Sequence, residues 1–278
     1  MSKPTDGASL SSDKPATSPV LECKGLGIDF GGLTAVDNFN ISVGATDIYG
    51  LIGPNGAGKT TVFNLLTKVY KPSRGSIYLG GTDTKKLNTV KANKLGLART
   101  FQNIRLFQNM TVEENVMVGL HNEMGYNLAT AVLRLPNYWR AEKAARARVR
   151  DLLSIFGMQD MVESKAGSLP YGSQRRLEIV RAMATNPKIL LLDEPAAGMN
   201  PAETDELMKN IRLINEKFNI AILLIEHDMK LVMGICEKIA VLNYGQLIAK
   251  GNPAEIQASP AVIEAYLGAD SGAPGAQR

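Results

Sequence analysis

Gly53-Pro54-Asn55-Gly56-Ala57-Gly58-Lys59-Thr60 places glycines, a lysine and a hydroxyl in the order G-x-x-x-x-G-K-[ST], the spacing of a loop that cradles phosphate. Glycines let the backbone curl so that several N–H groups point at one anion. The helix expected from Lys59 adds the positive end of its dipole. In this reading Lys59 sets a cation on the β- and γ-phosphates, and the Thr60 hydroxyl ligates Mg²⁺. Thr61, the next residue, is grouped with the nucleotide-binding set.

Such a loop says nucleotide binding without saying which class. The second chemical feature is Asp193-Glu194, two acids at the end of the apolar run Ile189–Leu192. Open α/β sheets bind ligands at the carboxyl ends of their strands. Asp193 is expected to hold Mg²⁺ through water. Glu194 is expected to orient or deprotonate an attacking water, a role worth roughly 10²–10⁴-fold in rate. His227 follows another apolar run, Ile220–Glu226, which places it beside the other strand ends and within reach of a γ-phosphate. The chemistry implied is in-line hydrolysis of a nucleoside triphosphate.

These groups need a sheet whose strands end together. The chain alternates short apolar runs with helical patterns, which points to an α/β architecture. Strands are expected at Ile48–Ile52, Ser76–Leu79, Ile189–Leu192 and Ile220–Ile225. Lys238–Asn243 and Gln246–Lys250 flank Tyr244-Gly245 and read as a hairpin. Helices are expected at Lys59–Thr67, Ala141–Ile155, Pro201–Phe218 and Met229–Cys236. Thr111-Val112-Glu113-Glu114 has the form of a capping box. Arg146, Arg148 and Arg150 read as a solvated helix face, and Tyr138-Trp139-Arg140 as packing or a linker rather than a site. His121 is assigned no function.

Composition narrows the class. The chain has 278 residues, 45% of them hydrophobic, enough for a sizeable core. Its 31 Lys+Arg against 27 Asp+Glu leave a net charge of +4, too small an excess to argue for a nucleic-acid partner. Cys23 and Cys236 stand far apart and read as reduced thiols. No stretch approaches the ~20 apolar residues of a membrane span, so any work at a membrane requires another subunit. Residues 1–19 and 269–278 have the composition of a disordered leader and tail.

Between the two chemical motifs lies Leu169-Pro170-Tyr171-Gly172-Ser173-Gln174-Arg175-Arg176. It resembles the LSGGQ-type signature of the ABC ATPases. Other motifs of that family follow in order: Phe30 for adenine stacking, twenty-nine residues before Lys59; Gln102 for the Q-loop; Ala196–Asn200 for the D-loop; His227 for the switch histidine. FGGLTAVDNFN, RTFQNIRLFQNMTVEENV, LPYGSQRRLEIVRA, LLDEPAAGMNPAET and GNPAEIQASPAVIEAYLG are similar to the ATPase subunits of branched-chain amino-acid (LIV-type) importers. The likeness covers about residues 20–268. It departs from the common signature at Pro170, Tyr171 and Ser173, and in the D-loop at Asn200. Pro and Tyr in the signature fit the LIV-type group.

The resemblance implies a phosphate-loop ATPase core with an antiparallel β subdomain and an α-helical subdomain, the latter at about 103–165. It implies small antiparallel β elements near Leu21–Val43 and 238–250. It implies ATP and Mg²⁺ as ligands, with Gln102 joining Thr60 and Asp193 at the metal. It implies a head-to-tail pair of ATPase subunits in which Tyr171, Gly172, Ser173 and Gln174 face the partner's ATP. Two membrane permease subunits and, indirectly, a substrate-binding protein complete the assembly, at the cytoplasmic face of the inner membrane. Rival readings are a related exporter ATPase, for example for lipopolysaccharide, and a non-transport ABC ATPase. The second usually carries a long coiled-coil insertion or two cassettes in one chain, and neither pattern is present.

Overall fold

The computed structural model describes residues 18–120 and 136–270. The leader, apart from its last two residues, lies outside this range, as do His121 and residues 271–278.

Among the described residues, ten strands form two sheets. β1 (Leu21–Phe30), β2 (Leu33–Val43), β4 (Arg74–Leu79) and β5 (Thr82–Asp83) make an antiparallel sheet in the order β2-β1-β4-β5. The larger sheet runs β10-β9-β3-β8-β7-β6, from β3 (Ile48–Ile52), β6 (Leu97–Arg99), β7 (Ile189–Asp193), β8 (Ala221–Ile225), β9 (Lys238–Asn243) and β10 (Gln246–Gly251). β3, β6, β7, β8 and β9 are parallel, and β10 alone runs against its neighbour. The C-terminal hairpin therefore belongs to the main sheet and is no separate β element. β9 pairs with β3 because its Ile239–Leu242 run is buried on both faces, as a central parallel strand must be.

The helices are α1 (Lys59–Leu66), α2 (Thr89–Lys94), α3 (Val112–Leu120), α4 (Pro136–Ile155), α5 (Tyr171–Met183), α6 (Pro201–Phe218), α7 (Met229–Ile235), α8 (Pro253–Gln257) and α9 (Pro260–Asp270). α9 ends two residues inside the expected tail. β6, β5, α2, α8 and α9 had no sequence expectation; each is short or lacks strong periodicity.

The main sheet separates two cores. On β7 and β8, Leu190, Leu192, Ile222 and Leu224 face α5, α6 and the helical lobe, while Ile189, Leu191, Leu223 and Ile225 face α1 and the antiparallel sheet. Alternation along a strand sends neighbours to opposite sides, so an all-apolar run serves both cores. The capping box at Thr111 forms as expected: Glu114 N–H donates to Thr111 Oγ1 at 3.1 Å, and Thr111 N–H to Glu114 Oε2 at 2.8 Å. The arginine face needs correcting. Arg146 and Arg150 donate to Glu113, a carboxylate only 4% exposed in the first turn of α3. A buried carboxylate must be paired, so these arginines join α4 to α3 instead of simply meeting solvent. Tyr138 and Trp139 stack edge to face, at 5.3 Å between centroids.

Leu190 and Leu191 are both fully buried. Either, truncated to Ala, is expected to cost roughly 2–5 kcal/mol, measured by denaturant unfolding. Only Leu191→Ala is expected to loosen amide protection in β1 and β2, because only it faces that sheet.

Candidate nucleotide-hydrolysis site

The parallel register brings four loops to one edge. Leu51 and Asp193 both lie opposite Ile225, and Arg99 lies opposite Leu191. The phosphate loop after β3, the acids ending β7, Glu226-His227 after β8 and Gln102 after β6 therefore emerge side by side.

The loop itself is braced by its neighbours. Gly53, Gly56 and Gly58 have φ of 149°, 78° and 102°. A Cβ on Gly53 would lie 2.0 Å from the Leu242 carbonyl oxygen, and one on Gly58 would lie 2.8 Å from that of Ala35. Gly245 N–H donates to Ala57 O at 2.9 Å, so the hairpin turn holds the loop from behind. Lys59, 8% exposed, donates through Nζ to Gly53 O at 2.7 Å and Pro54 O at 2.9 Å. This bridges the loop's own carbonyls, while Ala57 N–H donates to Pro54 O at 3.2 Å within the loop. Burial lowers the Lys59 pKa, and the charges of Glu194 and Asp193 oppose that shift. The lysine thus sits in the field of both acids. Pro54 is half-buried, while Asn55, Gly56 and Thr60 are exposed, and Thr61 follows in the first turn of α1.

Asp193 is buried and its Oδ2 accepts from Arg99 at 2.7 Å. Gln102 Nε2 donates to Glu194 Oε2 at 2.7 Å, which brings the two sequence-predicted residues into direct contact. Glu194 holds φ at 46°, a left-handed backbone unusual for a side chain of this size. Its N–H donates to Ile225 O at 2.9 Å, crossing to the end of β8, two residues before His227. The His227 side chain is 66% exposed, with Nδ1 3.8 Å from Glu226 Oε2. Glu226 is fully buried and accepts from the N–H groups of Ala196, His227 and Asp228. Burial nevertheless pushes its carboxyl above the usual value. Phe30 is 43% exposed and packs in a T-shaped pair with Tyr70, ring centroids 5.3 Å apart.

In the signature segment α5 starts at Tyr171, one residue earlier than its glycine, with Pro170 as N-cap. Tyr171 does not open the turn as a glycine would. Its hydroxyl donates to Ala197 O at 2.9 Å, and its ring lies against Gly198, so it fastens the signature to the loop after Glu194. Gln174 Nε2 turns back to Leu169 O at 2.8 Å. Gly172 and Ser173 stand at the head of the helix, with Gly172 packed against Glu203. Asn200, where the D-loop usually has Asp, caps α6 in a capping box with Glu203. A neutral amide serves that purpose as well as a carboxylate.

Comparison with known proteins now bears directly on this geometry. The ABC transporter profile matches residues 36–197, and the profile of the branched-chain amino acid ATP-binding cassette transporter matches residues 246–271. The chain is 48% identical over 252 residues to the high-affinity branched-chain amino acid transport ATP-binding protein LivG of Escherichia coli, covering 91% of this chain and 99% of that protein. It is 46% identical over 250 residues to BraF of Pseudomonas aeruginosa, which carries the same description, covering 90% and 98%. The chain belongs to the ABC transporter family, among its branched-chain amino acid ATP-binding subunits. Its fold matches the ADP conformation of MJ1267, an ATP-binding cassette of an ABC transporter, with a TM-score of 0.77, 29% identity and coverage of 91% of this chain and 100% of that one. A nucleotide-free cassette matches with a TM-score of 0.77 at 28% identity, covering 89% and 98%.

As an ABC ATPase subunit the chain hydrolyses ATP to ADP and phosphate to drive transport. Three residues near the site escaped sequence reasoning. Arg99, three residues before Gln102, pairs with Asp193, and nothing in its local sequence announces that partner. Arg175 was quoted within the signature without a role, yet its side chain is fully buried. Tyr266 on α9 lies near the Gly53 amide, outside hydrogen-bond geometry, and burial pushes its phenol up. Within the C-terminal profile match, its aromatic ring in a weakly periodic segment was the only available signal.

The close approach at Gly53 sets a prediction. Gly56→Ala meets open space and is expected to cost only the backbone strain, roughly 1–2 kcal/mol. Gly53→Ala must displace the Leu242 carbonyl, and ATP affinity is expected to fall roughly tenfold or more. Titration with a fluorescent ATP analogue separates the two.

Proposed function

We propose that this chain powers import of branched-chain or related amino acids, with Lys59, Asp193, Glu194, Gln102 and His227 acting on one MgATP. The observation that carries the reading is their convergence: aligned strand ends, Lys59 in the field of both acids, and Gln102 bonded to Glu194. The substrate class rests on identity to the two importer subunits along nearly their whole length, and on the C-terminal match at residues 246–271.

In this mechanism backbone N–H groups of the loop from Asn55 to Thr61 and the Lys59 ammonium bind the phosphates. Phe30 supplies a face for adenine. Thr60, Asp193 and Gln102 would hold Mg²⁺, which would supply positive charge against the phosphates. The residues suit that ion: oxygen donors with one buried carboxylate match a cation that keeps most of its waters. Arg99 holds Asp193 by Oδ2, which leaves Oδ1 for a hydrated cation. Glu194 accepts the proton of the attacking water, Gln102 steadies its carboxylate, and His227 contacts the γ-phosphate. Gly172, Ser173 and their neighbours meet the ATP of a second ATPase subunit through the amides at the head of α5.

Among the described residues no helix is long and apolar enough to cross a membrane. On its likeness to transport ATP-binding proteins the chain is assigned to the cytoplasmic face of the inner membrane through two permease subunits, with a substrate-binding protein acting indirectly and no nucleic acid. The groove beside the Q-loop, lined by Phe101, Arg105, Phe107, Val118 and Arg181, is the surface for a permease helix. Phe107 and Val118 are 49% and 42% exposed within it. The ordered ATPase domain is assigned to residues 20–268.

Glu194→Gln is expected to keep ATP binding, accumulate an ATP-bound dimer and lose hydrolysis by roughly two orders of magnitude. Full hydrolysis by that variant removes Glu194 from the mechanism. Phe107→Asp combined with Val118→Glu is expected to leave the ATPase rate of the purified chain unchanged and to abolish co-purification with the membrane subunits.

A further inference from the structure

Arg175 is a fully buried arginine in a loop-rich region, and its targets are almost all backbone. Nη1 donates to Phe101 O and to Glu178 Oε2, the latter at 2.8 Å. Nη2 donates to Gln102 O at 3.2 Å, Asp193 O at 3.4 Å and Glu194 O at 2.7 Å, and Nε to Pro195 O at 3.2 Å. One planar guanidinium thus gathers carbonyls from two loops that approach from different strands. Its partner Glu178, also buried, accepts from the N–H groups of Phe101 at 3.3 Å and Arg105 at 3.5 Å. The two side chains together hold both the donors and the acceptors of the Q-loop backbone.

The pattern of targets is specific. Gln102 and Glu194 are the two residues whose side chains touch at 2.7 Å, and Arg175 holds the carbonyl of each. Glu194 also carries the left-handed backbone, φ 46°. Such a conformation is strained and persists only where the surroundings over-determine it. Three successive carbonyls, Asp193 to Pro195, fixed by one cation supply that determination. Arg175 stands one turn into α5, the helix whose head carries Tyr171, Gly172 and Ser173, and Tyr171 bonds to Ala197 just beyond the same turn.

We infer that Arg175 is a positioning residue for hydrolysis, fixing the backbones of Gln102 and Glu194 so that the carboxylate is held for the attacking water and the signature helix moves with it as one body. This rests on Glu194 acting as proposed above. Arg175 touches no phosphate and acts only through these two loops. Lysine at this position keeps the charge but lacks the planar fork that reaches five carbonyls at once.

The test uses the full purified chain with MgATP and the variants Arg175→Met, Arg175→Lys, Glu194→Gln and Arg175→Met/Glu194→Gln. Arg175→Met is expected to bind a fluorescent ATP analogue within about threefold of the parent while kcat falls roughly tenfold to a hundredfold. Arg175→Lys is expected not to restore the rate. In the double variant the loss is expected to merge with that of Glu194→Gln, because both act on one group. A folded Arg175→Met or Arg175→Lys with kcat within threefold of the parent overturns the inference, as does a double variant whose losses multiply. Should the Met variant not fold, the Lys variant decides on the same readouts. Loss of rate in Glu194→Gln with Arg175 variants fully active strikes this inference alone. Full activity in Glu194→Gln strikes the hydrolysis reading beneath it.

Discussion

Everything at this site depends on the shared register of β3, β8 and β7. Parallel strands hydrogen-bonded in step must end in step, so the loops that leave them emerge along one line. Leu51, Ile225 and Asp193 mark that line. A slip by one residue would invert every side chain on a strand buried on both faces, and the two separate cores forbid it. The apolar packing of Ile189–Leu192 and Ala221–Ile225 therefore fixes where a lysine, two acids and a histidine meet.

Buried polar groups at this edge are held by complementary protein partners. Asp193 has Arg99, Glu178 has Arg175, and Glu226 has three backbone N–H donors. A buried charge without a partner is costly, which accounts for the density of arginine close to the acids. The groups left more open are those assigned to meet a ligand: Thr60, Gln102, Phe30 and His227. Lys59 and Asp193 are the exceptions: both are assigned to the ligand and both are buried.

Much of this was legible in the sequence because its signals are local. The phosphate loop, the acids after a leucine run, the capping box at Thr111 and the helix Pro201–Phe218 each lie within a short window. The hairpin at 238–251 was read correctly as a hairpin, but its place in the main sheet was not, since parallel pairing to β3 leaves no mark in nearby residues. Arg175 and Arg146 show the same limit. Arginine in a basic helical stretch reads as solvent-facing. What buries Arg175 is a set of carbonyls up to 74 residues away, and what engages Arg146 is Glu113, 33 residues earlier. Tyr171 looked like a departure from a glycine pattern until its hydroxyl met Ala197 across the turn.

The guanidinium of Arg175 has a consequence for how the polypeptide assembles. Its carbonyl acceptors come from segments that follow β6 and β7, while the arginine itself lies on the helix between them in sequence. None of the three segments can satisfy its buried polar groups until the others are in place. The helical lobe and the sheet edge therefore depend on one another for the pairing of these buried groups.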